Sequence, residues 1–244
     1  MRKKILISGG NGKLCKELVR ANELYHYIVT PTRQQMDIRN EKSIKSYMDI
    51  VEPDVFIHAA ALTKPLSIHE TDIKASIDTN IIGTCNVVKA CASMGVKLVY
   101  ISTDYVYPKE SNGAKETDPV LPFTKYGWSK LGGECAVSMY KNSLILRGAF
   151  FESPFPYDVA YVNVIKNQLY QNVGAKLVLS LIDQNGIINI GSNKVQSIYD
   201  FALKTRPDVK QALCSKEDVS STMVLDVQKL IGLITDEKLL SLVL

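Results

Sequence analysis

The chain opens on an unbroken apolar run, Ile5-Leu6-Ile7, that stops at Ser8-Gly9-Gly10-Asn11-Gly12 and gives way to a helical pattern from Lys13. Few folds accommodate that order. A short strand with no polar alternation is buried on both faces, and a glycine-rich turn leading straight into a helix marks it as the first strand of a parallel, helix-covered sheet. The alternation continues. Strands are expected at 27–30, at Val55-Phe56-Ile57-His58 and at 97–101, separated by helices at 13–22, 42–51 and 73–94. In the last helix Ile77, Ile81, Cys85 and Val88 recur at three- and four-residue spacing, and Gly95 ends it. A loop rich in Pro, Gly, Asn and Thr covers 108–124, followed by a helix at 128–139 and a strand at 143–147. The expected fold class is α/β, a Rossmann-type doubly wound parallel sheet.

The pattern weakens past Arg147. Helices are expected at 161–171, 197–203 and 226–233, and short strands at 176–179 and 186–190. This divides the chain into a Rossmann domain, 1–150, and a small C-terminal lobe, 151–244, packed against it. No internal repeat or low-complexity tract is present.

The glycine-rich turn suits a dinucleotide. Gly9 permits a tight turn, and Gly12 lets a pyrophosphate approach the amides of Lys13 and Leu14 at the helix N-terminus, where free N–H groups and the helix dipole favour an anion. Cys15 takes the third position of the GxxGxxG pattern as a small packing residue. Arg33, just past the second strand, stands where an acidic residue would hold the ribose of NAD, and can pair instead with the 2′-phosphate of NADP. NADP is therefore the expected cofactor, with NAD as the alternative. Asp37, followed by Ile38, can accept from the adenine amino group. Ala60, Ala61 and Thr63, past the third strand, are small enough for a ligand to lie across the strand ends, as is the end of the fourth strand at Ile101. His58 is read as structural, because His26 and His69 are not at metal-ligand spacing from it.

Tyr126 and Lys130 are four apart, hence on one helical face. The Lys130 ammonium can lower the pKa of the Tyr126 phenol and hold the nicotinamide ribose. Tyr126 can then act as general acid toward a carbonyl, with Thr103 (or Ser102) polarising the same oxygen.

Together, Gly9 to Cys15, Asp37-Ile38-Arg39-Asn40, Pro53-Asp54-Val55, Ala59 to Thr63, Asn80, Ser102 to Val106, Tyr126 to Glu134 and Leu146-Arg147 resemble the extended short-chain dehydrogenases/reductases of the dTDP-4-dehydrorhamnose reductase type. The resemblance covers roughly the first 150 residues. It implies NADPH- or NADH-dependent reduction of the C4 ketone of a nucleotide-linked 6-deoxy-4-ketohexose in nucleotide-sugar biosynthesis. It also implies catalytic roles for Thr103, Tyr126 and Lys130, substrate contacts from Asp104, Tyr105 and Phe150, and an Asn80 that supports the catalytic lysine on the cofactor side, through water. Two departures stand out. Asp183-Gln184-Asn185-Gly186-Ile187-Ile188-Asn189 runs together two family segments that usually flank a Pro-Thr-containing helix, and Ser and Thr replace an Arg-Pro before Val224. A shortened substrate lobe is expected. The alternatives are a non-catalytic NADP-binding regulatory subunit of the same fold, or a nucleotide-sugar epimerase. Asp104-Tyr105 after Thr103, in place of the Asp-Glu pair typical of dehydratases, argues for a reductase.

Composition narrows the setting. The formal net charge of +4 comes from scattered residues, which gives no footprint for nucleic acid. Five cysteines form no CxxC pair or metal-ligand spacing, as expected of reduced thiols and no metal. The apolar run at the N-terminus is too short for a signal peptide, and no stretch reaches the ~20 apolar residues of a membrane span. A soluble, cytoplasmic enzyme is expected, its partners a nucleotide sugar and a second copy of itself.

Overall fold

Alternate residues of each strand serve opposite faces of one sheet, which is why the strands read as continuous apolar runs. The computed structural model describes residues 2–22, 26–215 and 219–244. The first part runs β1 (Lys4–Ser8), α1 (Lys13–Arg20), β2 (Tyr27–Val29), α2 (Glu41–Val51), β3 (Val55–His58), α3 (Ile68–Thr71), α4 (Ile73–Ser76), a π-helical turn (Ile77–Ile82), α5 (Gly83–Met94), β4 (Lys97–Ile101), β5 (Ser111–Ala114), α6 (Lys125–Ser138) and β6 (Ser143–Gly148). The second runs β7 (Phe150–Phe151), β8 (Val159–Tyr161), β9 (Ile165–Lys166), β10 (Leu169–Tyr170), α7 (Gln171–Ser180), β11 (Gly186–Ile190), β12 (Gln196–Ser197), α8 (Ile198–Leu203), β13 (Lys210–Ala212), β14 (Thr222–Leu225), α9 (Gln228–Leu233) and α10 (Glu237–Ser241).

The main sheet is parallel throughout, in the order β11-β6-β4-β3-β1-β2. Ile5, Ile7, Val55, Ile57, Leu144 and Leu146 join one core with Cys15 and Leu18 of α1 and Leu177 and Val178 of α7. Leu6, Phe56, Leu98, Tyr100 and Ile145 join the other with Ile44 and Met48 of α2, Val87 and Cys91 of α5 and Val137 of α6. The sheet is thus doubly wound, and its order reverses at β1/β3, the point where such sheets bind ligands at their strand carboxyl ends.

The structure corrects several expectations. The helix at 73–94 is interrupted by the π-helical turn that carries Asn80. Residues 161–171 are extended pieces, consistent with the β-branched Val162, Val164 and Ile165, and the helix begins only at Gln171. Lys176 to Leu179, expected as a strand, lies inside α7, because a four-residue apolar run cannot distinguish a buried strand from a buried helix. A boundary at 150 cuts the main sheet, since α7 and β11 come from beyond it. The lobe proper is built from the four-stranded sheet β12-β9-β14-β5, which borrows β5 from the first part, and the pair β13-β8. Its own core is aromatic: Tyr170 stacks on Phe201 at 4.1 Å, and Phe151 lies 5.5 Å from Phe155.

Candidate active site

Gly9 has φ +83°, and a Cβ there would press on the Ala60 backbone at 3.0 Å, so the β1 turn and the β3 end can meet only through glycine. Gly10, which the sequence reading passed over, is equally confined, by the carbonyls of Thr30 and Pro31. Gly12 begins α1 without a side-chain cap, which leaves the first-turn amides of Lys13 and Leu14 open to an anion. A cleft of about 310 Å³ runs from Gly9, Gly10 and Gly12 past Arg33, Asp37 and Ile38 to Ala60, Ala61 and Leu62. Thr63 follows on the same loop and is exposed. Asp37 is gripped by Arg39, with Nη2 at 2.6 Å, and approached by Arg33 at 3.6 Å. The Arg39 hydrogen bonds hold its carboxyl down to about 2. Two guanidinium groups therefore edge the cleft where one was expected. Cys15 is a buried packing group, its thiol pushed up to about 11 by burial.

The expected Tyr and Lys pair stands on α6. Thr124 caps α6 by accepting from Gly127 N at 3.0 Å, and a Cβ on Gly127 would strike the Tyr105 carbonyl oxygen. That close approach sets Tyr126 beside the end of β4. The rings of Tyr105 and Tyr126 are 6.2 Å apart. Lys130 lies one turn on, buried, with Nζ 4.1 Å from the centre of the Tyr100 ring, while Ile101 ends β4 partly exposed. Burial brings Lys130 down to about 7, against the pull of Glu134. The Tyr126 phenol is raised well above its usual range, by burial first and Asp104 second, with only the Thr103 hydrogen bond opposing. The expected lowering of Tyr126 by Lys130 is therefore overridden: loss of solvent outweighs any help from the lysine.

Asn80 is buried on the π-helical turn. Its side chain exchanges hydrogen bonds with Leu62 N and O at 2.7 and 2.9 Å and donates to Ser129 Oγ at 2.9 Å. It clamps the β3 loop to α6. His58 is structural, as expected: buried between Ser8 Oγ at 2.8 Å and Thr84 Oγ1 at 3.1 Å, and brought down to about 3 by burial, with Lys130 adding to the effect. Phe150 is half-buried and packs against Gly174 of α7.

Asp104 is buried and fully engaged. Oδ1 accepts from Thr103 Oγ1 at 3.0 Å and Oδ2 from Lys166 Nζ at 2.8 Å. Lys166 also lies 4.5 Å from the centre of the Tyr105 ring. Burial works against its charge, but Asp104 and Tyr105 hold its pKa above the usual lysine value. Nothing in the sequence flagged Lys166, because its segment read as a helix. His69 was likewise set aside, yet its ring lies 5.2 Å from that of Tyr126. Beneath the site, Ser102 bonds Glu134, and Glu134 forms a buried pair with Arg147 at 2.8 Å, which ties the ends of β4 and β6 to α6.

A doubly wound sheet with a glycine cradle at its switch point and a Thr, Tyr and Lys set at the end of β4 defines the extended short-chain dehydrogenase/reductase class. Residues 2–179 match the family described as RmlD substrate binding domain, and the chain belongs to it. Among curated relatives, it is 32% identical over 218 residues to the spore coat polysaccharide biosynthesis protein SpsK of Bacillus subtilis, covering 82% of this chain and 77% of that one. It is 34% identical over 136 residues to the dTDP-4-dehydrorhamnose reductase of Burkholderia thailandensis, covering 55% of this chain and 45% of that one, so the match spans less than half of the relative. The crystal structure of dTDP-4-dehydrorhamnose reductase from Bacillus anthracis in complex with NADP has the same fold, with a TM-score of 0.84 at 24% identity over 94% of this chain and 91% of that one.

Proposed function

We propose that the chain is an NADPH-dependent oxidoreductase that reduces the C4 ketone of a nucleotide-linked 6-deoxy-4-ketohexose, a step of nucleotide-sugar biosynthesis. The observation that carries this reading is the hydrogen bond between Thr103, just past the end of β4, and Tyr126 of α6, with Lys130 one turn further along the same helix. The names of the relatives support it. The five unpaired cysteines support a cytoplasmic setting.

The residues fit the cofactor. The open amides of α1 would hold the pyrophosphate, Arg33 and Arg39 the 2′-phosphate, and Lys130 the nicotinamide ribose; when bound, NADPH supplies the hydride. The protein supplies the rest. Tyr126, its phenol raised by burial, keeps its proton at neutral pH, the state required of a general acid. The Thr103 hydroxyl points to Asp104, and rotation about its Cβ–Oγ1 bond turns the hydrogen toward a carbonyl oxygen. Asp104 stays compensated by Lys166 when it does so. Lys130, poised near pH 7, can return a proton to Tyr126 after the transfer. An intact Thr103, Tyr126 and Lys130 set favours this reading over a regulatory subunit, which needs the cradle but no proton donor.

The test is turnover. Loss of NADPH absorbance with a dTDP- or UDP-linked 6-deoxy-4-ketohexose, with a product two mass units heavier and a lower KM for NADPH than for NADH, is the expected result. A protein that binds NADPH, reduces neither sugar nucleotide and co-purifies with a protein partner is a regulatory subunit.

A further inference from the structure

Buried polar atoms in folded chains are nearly always paired, so one left over calls for a reason. His69 carries such an atom. It stands on the single-turn helix α3, is 1% exposed, and its ring lies 5.2 Å from the Tyr126 ring. Nδ1 is 2.7 Å from Ser76 Oγ, and Nε2 has no partner among the described residues. The proton can be placed by accounting. Among the described residues the Ser76 hydroxyl has no bond other than this one, so its hydrogen is satisfied only by donating to Nδ1. Nδ1 is then the acceptor, and Nε2 carries the hydrogen. Burial keeps the ring neutral. His69 thus carries a buried, unsatisfied N–H donor on a ring that neighbours the Tyr126 ring. Leaving such a donor buried costs free energy that a substrate oxygen would recover.

We infer that His69 is a specificity-determining residue whose Nε2–H donates to the C3 hydroxyl of the hexose. This rests on the reductase reading, which puts C4 at Tyr126. The neighbours of C4 are C3, which bears a hydroxyl, and C5, which bears the methyl group of a 6-deoxy sugar, so the C3 oxygen is the one hydroxyl next to the reacting carbon. A buried N–H there rewards a 3-hydroxy sugar and penalises one that lacks it.

The experiment measures affinities of the NADP-loaded protein for three probes by calorimetry: dTDP-rhamnose, its 3-deoxy counterpart, and dTDP. Wild type should bind the 3-deoxy sugar roughly tenfold more weakly than dTDP-rhamnose. His69→Phe should bind dTDP-rhamnose roughly tenfold more weakly than wild type, with the other two probes and NADPH unchanged. His69→Gln, whose amide nitrogen reaches the Nε2 position, should restore most of the loss. Equal wild-type affinity for the two sugars overturns the inference without recourse to a variant. So does a His69→Phe loss shared by all three probes, which marks a structural role. Turnover is not used, so a protein that shows this pattern but reduces no ketone loses the reductase reading and keeps the contact.

Discussion

The sheet and the lobe behind it are held together by different physics. In the sheet, strands of three to six residues contribute alternate side chains to two apolar cores, and the polar groups that matter are few and deeply paired. In the lobe, most strands are only two or three residues long, too short to hold a register by packing alone. Side chain–backbone bonds do it instead. Asn167 bonds Leu225 N and O at 3.0 and 2.9 Å and Ser192 O at 2.9 Å, and Glu110 binds the 220–222 segment through Ser221 N at 3.0 Å and Thr222 N at 3.1 Å. Asn189, on β11, reaches Ala114 O at 2.8 Å and Asp226 O at 3.1 Å, joining the two regions. The glycine-lined cleft belongs to the first region. The second sends Lys166 into the site through Asp104.

Lys130 gives the sharpest break in that contrast, because here the sheet region gives up stability for function. Its pKa falls from 10.5 to about 7 in the folded chain. Between those values the unfolded chain binds more protons, so the lysine's contribution to stability improves as pH rises through that window and is at its worst below pH 7, by roughly 5 kcal/mol. Lys130→Met should therefore melt above wild type at pH 6, with the gap closing toward pH 10, while losing NADPH affinity. A Tm difference that does not change with pH would mean that the lysine is not buried as a charge.

Smaller effects separate the regions. Glu134→Ala leaves Arg147 uncompensated in the sheet region and should cost about 3–5 kcal/mol in global stability. Asn167→Ala strands backbone groups in the lobe and should cost roughly 2–4 kcal/mol. Hydrogen exchange should show the second loss concentrated in residues 159–166, 192–198 and 220–226, with NADPH affinity within about threefold of wild type. Equal exchange across the main sheet would mean that the two regions unfold as one.

That contrast also explains what could be read in advance. Ile5-Leu6-Ile7 and Val55-Phe56-Ile57 were legible because a turn signal bounds each apolar run, Ser8-Gly9-Gly10 after the first and Pro53-Asp54 before the second. The Gly9 turn and the Tyr126/Lys130 spacing are local as well, so their roles travel with the sequence. Lys166 meets Asp104 across 62 residues, inside a strand too short to have a period. His69 depends on Ser76 for its tautomer and on α6 for its neighbour, and neither relation leaves a spacing to find. Asn80 was legible as a site residue, but its partners Leu62 and Ser129 were not, since only the fold brings the β3 loop against α6.

The central claim is that Tyr126 delivers the proton. The most direct measurement is kcat for Tyr126→Phe beside wild type under saturating NADPH and 4-keto sugar nucleotide, with the NADPH dissociation constant taken on the same preparations. Positioned general acids contribute about 10²–10⁴ in rate, so kcat should fall by at least a hundredfold with NADPH binding nearly unchanged. A Tyr126→Phe variant that turns over at the wild-type rate would contradict the account, whatever the fold.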